Sequence, residues 1–179
     1  MEEKTISSQR IYEGSIINLR RDKVSLSEDR HSFREIVEHK GGVAVAAINS
    51  DGKMVLVRQY RKAIEKVLYE VPAGKMDKVD EDSLEAIKRE LKEETGYTAG
   101  NMVHLTSFYT SVGFSNEIIH LYYATDLVSG EPCPEENEDI ETSLHSISEL
   151  TQMIKAGDIQ DAKTIIAILM AQQILLGNK

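Results

Sequence analysis

Between residues 82 and 95 the apolar positions of this chain recur every three to four residues, whereas on either side of that segment they alternate. A chain whose hydrophobic period changes in this way folds by packing a helix against strands. With Glu90 set at zero and about 100° per residue, Leu84, Ile87 and Leu91 fall between roughly +60° and +120°, a stripe that needs a core. Glu85, Lys88 and Lys92 lie on the opposite side, spaced as solvated ion pairs. Gly96 follows, where a helix ends in a left-handed residue.

The alternating segments supply the strands. Residues 9–26 alternate around Gly14 as a bent hairpin does, and 33–38 continue the pattern. Gly41-Gly42 separates them from Val43-Ala44-Val45-Ala46-Ala47-Ile48, and Asn49-Ser50-Asp51-Gly52 reads as a hairpin turn into Met54-Val55-Leu56-Val57-Arg58. A short strand over 67–71 ends at Pro72-Ala73-Gly74, and further strands are expected around 102–110 and 118–124. After an acidic loop over 131–141, two helices close the chain, 148–156 and 162–176, the second capped by Asp161 and burying its run from Ile165 to Met170. The fold class is α+β, a mixed sheet flanked by helices.

Composition limits the partners. With 21 Lys and Arg against 30 Asp and Glu, the net charge is −9, so the surface repels nucleic-acid phosphates and anionic lipid. Neither nucleic acid nor membrane is expected, and an anionic substrate must arrive with cations. Hydrophobic residues make up 41% of the 179, which places the chain among globular proteins and excludes disorder as its overall state. Cys133 is the one cysteine, expected in an exposed loop between Pro132 and Pro134; it forms no internal disulfide, as suits a reducing cytoplasm. The first residues, Met1 to Thr5, are charged and lack the apolar stretch of a secretory signal, and no apolar run is long enough to span a bilayer. His39, His104, His120 and His145 show no ligand spacing, and Tyr12, Tyr60, Tyr109 and Phe114 are expected in the core, with stacking on a base as the alternative.

Chemistry concentrates on the helix. Glu90 and Glu94, at zero and about +40°, border the apolar stripe, and Glu93 lies about 60° to the other side. Acidic pairs on helices are commonly just solvated surface. Here like charges at i,i+4 cost roughly 0.2–0.5 kcal/mol, and more beside a low-dielectric core, so a cation should offset them. A hard divalent ion such as Mg²⁺ takes oxygen ligands and bridges carboxylates to substrate phosphates, which suits pyrophosphate chemistry.

Gly74, Glu81 and Arg89-Glu90-Leu91-Lys92-Glu93-Glu94-Thr95-Gly96-Tyr97 resemble the Nudix box, the signature of enzymes that hydrolyse nucleoside diphosphates linked to another moiety. Glu70-Val71-Pro72-Ala73-Gly74, Arg34 to His39, Arg58-Gln59-Tyr60-Arg61, Glu136-Asn137-Glu138-Asp139 and Asp161-Ala162-Lys163-Thr164-Ile165 look like the ADP-ribose pyrophosphatase branch. The resemblance implies an α/β/α sandwich with a central mixed sheet and an N-terminal antiparallel strand segment. Residues 1–40 would be that dimer-forming segment and 41–179 the catalytic domain. It implies Glu90, Glu94, Glu138 and the Ala73 carbonyl as ligands of Mg²⁺, with Mn²⁺ as the other candidate, Glu93 assisting and Arg89 orienting the cluster. It implies Glu136 as general base and Arg34, Glu35, Arg61, Ser111, Gly113 and Glu117 as substrate contacts. The activity implied is hydrolysis of ADP-ribose or a close nucleoside diphosphate sugar by a cytoplasmic homodimer.

Two departures qualify the likeness. Six residues separate Gly74 from Glu81 where the family has five, the extra one falling in the loop 76–80, and Val112 stands where the branch usually has proline. The second leaves another nucleotide sugar, such as GDP-mannose, as the alternative substrate. A non-catalytic ADP-ribose sensor is the rival from another class, and the acidic chain lacks the basic DNA-binding module such regulators carry.

Overall fold

A computed structural model describes residues 2–76, 81–133 and 139–177. The chain divides into two compact units, Met1–Gly41 with Phe108–Ile119, and Gly42–Ser107 with His120–Lys179.

In the first unit β1 (Lys4–Glu13), β2 (Ile17–Ser27) and β3 (Arg30–His39) form an antiparallel meander in that order. The turn after β1 closes where Gly14 N–H donates to the Ile17 carbonyl at 3.1 Å. Strand β1 is the free edge and is exposed along all ten residues, Ile6, Ile11 and Tyr12 among them. Past β3, Val37 pairs in parallel with Ser115: its N–H donates to the Phe114 carbonyl at 2.7 Å, and its carbonyl accepts from Asn116 N–H at 3.2 Å. The His39 N–H adds a bond to Asn116 Oδ1 at 2.8 Å.

The second unit holds the core. Strands β4 (Gly42–Ala47), β5 (Lys53–Arg61), β6 (Lys66–Glu70) and β7 (Ala73–Lys75) precede helix α1 (Ser83–Thr95). Strands β8 (Thr98–Tyr109), β9 (Ile118–Val128) and β10 (Glu141–Ser146), then helices α2 (Ile147–Ala156) and α3 (Ala162–Gly177), follow. The strands assort into two sheets, ordered β7-β4-β9-β8 and β10-β5-β6. Every residue of β4 is buried, as a strand covered on both faces must be. Val43, Val45 and Ala47 pack with Ala86, Ile87 and Leu91 of α1, and with Val55, Tyr122 and Ala124. The alternate residues, Ala44 and Ala46, point to the other face, and α3 packs on β4 as well, through a stripe that buries Thr164, Ala167, Ile168 and Ala171. This is the α+β architecture of sheet between helices that the sequence implies.

The differences from expectation are local. The turn at Asn49 forms, its Oδ1 accepting from the N–H groups of Asp51 and Lys53 at 3.0 and 2.9 Å. It does not make a two-stranded hairpin, because β4 and β5 belong to different sheets and the ladder beside the turn is the isolated Ile48–Met54 bridge. Strand β10 falls in and beyond the expected loop; Leu144 is its only aliphatic residue, and pairing with β5, from Glu141–Arg58 to Ser146–Lys53, makes it a strand. Tyr12, Tyr60, Tyr109 and Phe114 are exposed, not core: Tyr12 and Tyr109 lie on the edge strands β1 and β8, Tyr60 near the end of β5 and Phe114 in a turn, while aliphatic side chains fill the interior. Leu169, within the run expected to be buried, faces outward as well.

Candidate active site

Helix α1 begins and ends where its sequence requires. Asp82 caps it, Oδ1 accepting from Leu84 and Glu85 N–H at 2.7 and 3.0 Å, a device worth about 1 kcal/mol. At the other end Gly96 takes φ +75 and donates its N–H to the Lys92 carbonyl. A Cβ there would stand 2.3 Å from the Gly130 carbonyl oxygen, so backbone meets backbone as the chain enters the acidic segment. The Cys133 N–H then donates to the Glu93 carbonyl at 2.9 Å, and the cysteine is exposed.

Fixed in this way, α1 presents its carboxylates beside β7. Arg89 gathers two of them with Glu81, which precedes the helix: Nε and Nη2 each donate to Glu81 at 3.1 Å, and Nη1 donates to Glu90 at 2.8 Å and Glu93 at 2.9 Å. These charge-assisted bonds, chiefly the one to Glu81, raise the guanidinium pKa well above its ordinary value. Glu94 is nearly buried and turns the other way, accepting the Ala73 N–H on Oε2 at 3.1 Å. Gly74 completes the fit. A Cβ on it would fall 1.9 Å from the Glu90 carboxyl carbon, so only glycine lets that carboxylate lie against the strand.

Behind Ala73 lies a second charged group, of which the sequence singled out Arg61 alone as a site residue. Glu70, at the end of β6, is 1% exposed, and Arg61 grips it with Nε and Nη2 at 2.6 and 2.7 Å. Lys163, in the first turn of α3, donates to Glu70 Oε2 and pairs with Asp161 at 3.1 Å. Burial alone would raise the Glu70 pKa, but the Arg61 and Lys163 bonds outweigh it and hold the carboxyl below its usual value. Glu94 and Asp161 are close enough to Arg61 to raise its pKa in turn, after the larger effect of the Glu70 bond. Asp161 also accepts from Thr164 N–H at 3.0 Å and Thr164 Oγ1 at 2.6 Å, and Thr164 Oγ1 accepts the Val71 N–H at 2.9 Å. The signal for this group was available: an acid closing an apolar strand, and a capping Asp two residues before a lysine.

Five other candidates lie in the first unit. Arg34 donates to both oxygens of Glu3 at 2.9 and 2.6 Å, and Glu35 is exposed on β3. The Ser111 carbonyl accepts from Phe114 and Ser115 N–H, a turn that carries Gly113 at its centre. Glu117 accepts from Thr110 Oγ1 at 2.6 Å and stands 3.4 Å from His39 Nδ1. Glu136, Glu138 and most of the loop 76–80 lie outside the described residues. His104 and His120, given no common role by their spacing, both contact Ser107 Oγ at 2.8 Å.

The donor set around α1 is oxygen-only, with four carboxylates against one guanidinium, and the Gly74 cradle keeps one of them against the strand. That chemistry fits a hard divalent cation. Among the described residues no three acidic, histidine or cysteine side chains stand together as a ready-made cage. Mg²⁺ sites are commonly built with one or two carboxylates and completed by water and substrate phosphate.

Comparison with known proteins agrees with this reading of the fold. The Nudix domain family model matches residues 38–168, and that of the nucleoside diphosphate sugar hydrolase N-terminal domain matches 3–37. An ADP-ribose pyrophosphatase of Bacillus subtilis (strain 168) is 41% identical, the alignment covering 96% of this chain and 94% of that one. A methanol dehydrogenase activator of Bacillus methanolicus is 44% identical over 96% and 93% of the two chains. Among solved structures, an ADP compounds hydrolase superposes with a TM-score of 0.87 at 18% identity, covering 99% of this chain and 96% of that one, which shows the shared fold. With the box residues on one helix edge and a family model spanning most of its length, the chain belongs to the Nudix hydrolase family.

Proposed function

We propose that the chain hydrolyses the pyrophosphate bond of ADP-ribose, or of a closely related nucleoside diphosphate sugar, with Mg²⁺ bound and Mn²⁺ able to replace it. The observation that carries this reading is the pair of contacts between α1 and β7, Glu90 in the Gly74 cradle and Glu94 on the Ala73 N–H. Glu90, Glu94, the Ala73 carbonyl and Glu138 would hold the metal, which when bound neutralises phosphate charge and lowers the pKa of water. Arg89 keeps Glu81, Glu90 and Glu93 in place without touching the reacting atoms. Glu136 takes the proton from the attacking water. The new oxygen–phosphorus bond forms as the bridging oxygen leaves with the other phosphate, giving a nucleoside monophosphate and a sugar phosphate. Arg61 binds phosphate, Arg34 and Glu35 the nucleoside, and Ser111, Gly113 and Glu117 the terminal sugar.

The wholly exposed β1, with apolar side chains on an open edge, supports a homodimer in which that edge is covered. An unpaired, exposed cysteine supports the reducing cytoplasm as its compartment. GDP-mannose stays as the second substrate reading because Val112 is 80% exposed in the turn assigned to the sugar.

Release of monophosphate from ADP-ribose, ADP-glucose and GDP-mannose with Mg²⁺ present tests the proposal. AMP from ADP-ribose is expected, with kcat falling about 10²- to 10⁴-fold in Glu136→Gln. Glu94→Gln should abolish most turnover while the fold stays intact, because the amide oxygen still accepts the Ala73 N–H. Near-parental rates in Glu94→Gln at saturating Mg²⁺ would place the metal elsewhere.

A further inference from the structure

The group behind Ala73 is over-built for a structural tie. One cation suffices to neutralise Glu70, yet two are spent on it, and each comes from a different element: Arg61 from the end of β5, Lys163 from the start of α3. Their division of labour is geometric. Oε1 of Glu70 serves Arg61 alone, whereas Oε2 is shared between Arg61 Nη2 and Lys163 Nζ, so the lysine fixes the plane of the carboxylate and thereby the plane of the guanidinium. Lys163 is itself held by Asp161 Oδ1, and Asp161 is tied through Thr164 to the Val71 N–H, two residues before Ala73. Among the described residues Nη1 of Arg61 makes no hydrogen bond, the side chain is 42% exposed, and the nearby Glu94 carboxylate raises its pKa. A guanidinium locked on one edge and open on the other, beside a metal-binding carboxylate, is suited to a phosphate oxygen.

We propose that Lys163 is a positioning residue: through Glu70 it holds Arg61 with Nη1 free for the diphosphate of the substrate, and Asp161 aligns the lysine. This rests on the function proposed above and adds to it the C-terminal helix as part of the phosphate-binding apparatus. Lysine suits the task because its ammonium can serve Glu70 and Asp161 at once, while the bidentate fork is left to arginine.

Binding of inorganic pyrophosphate in Mg²⁺, measured by calorimetry, tests this independently of which sugar is cleaved. Lys163→Met and Arg61→Ala should each weaken binding about 10- to 100-fold, the loss of one charge-assisted hydrogen bond. The double variant should bind no more weakly than Arg61→Ala, since the lysine acts only through the arginine. Lys163→Arg should restore most of the affinity. In hydrolysis the loss in Lys163→Met should appear in KM, with the Mg²⁺ dependence unchanged. Lys163→Gln, which keeps a donor without the charge, reads the same relay if Lys163→Met melts below the assay temperature. Parental affinity with only a lowered melting temperature overturns the proposal, and so do losses that multiply in the double variant. Failure of the parent to cleave any nucleotide sugar, with these binding effects intact, counts against the proposed function and leaves the relay standing.

Discussion

At Gly74 the strand and the candidate site leave no room for a side chain. Alanine there would drive its methyl into the Glu90 carboxyl, 1.9 Å away, and either β7 or Glu90 must yield. Gly74→Ala should cost about 1–3 kcal/mol of stability, the usual range for overpacking, and lower kcat together with it. A variant with parental melting and turnover would mean that Glu90 moves aside at no cost. Glu70 invites a different measurement. Its pKa is below the ordinary 4.5, so its contribution to stability is fully present above that value and is lost as pH falls through the lowered one. Replacing it by Gln should therefore flatten the acid limb of a melting-temperature profile below about pH 4.5 and lower the plateau above it. Box residues such as Glu90 and Glu94 were legible in the sequence because their spacing is helical and local. Glu70 and Lys163 were not, since 93 positions separate them and only the tertiary fold brings them together.

Helix α1 was readable because its stripe and terminal glycine are properties of neighbouring residues; Asp82, read as its first residue, is its cap. Strand β10 was not: a segment reading Glu-Thr-Ser-Leu-His-Ser has little pattern of its own and becomes a strand by pairing with β5. The turn at 111–115 sits between these cases. Its Ser111 carbonyl accepts from Phe114 N–H at 3.1 Å, so Val112 occupies the second position of a turn, the place proline prefers. Among the described residues the Val112 N–H makes no hydrogen bond, so nothing is lost by removing it. Val112→Pro is expected to stabilise the protein by about 0.4–1 kcal/mol and to sharpen discrimination between ADP-ribose and other ADP-sugars by narrowing the loop's conformations. Lower stability in Val112→Pro, seen in denaturant midpoints, would show that the backbone there is not suited to φ near −65°.

For the molecule as a whole, the exposed edge β1 leads to a prediction about mass. Sedimentation of the full chain should give twice the 20.1 kDa of one copy, and removal of residues 2–13 should shift it towards one copy and raise KM. A full-length monomer with normal kinetics would remove the need for a covered edge. The first unit has a further property, visible in its discontinuity. Its residues come from two stretches far apart in the chain, Met1–Gly41 and Phe108–Ile119, stitched together by Val37 with Phe114 and Asn116, and by His39 with Asn116. A crossover near residue 38, where one family match gives way to the other, would sever β3 from the partners it was built with. Chimaeras that exchange the N-terminal segment between relatives should therefore inherit 108–119 from the same parent. For recombination, the indivisible unit is the pair of stretches.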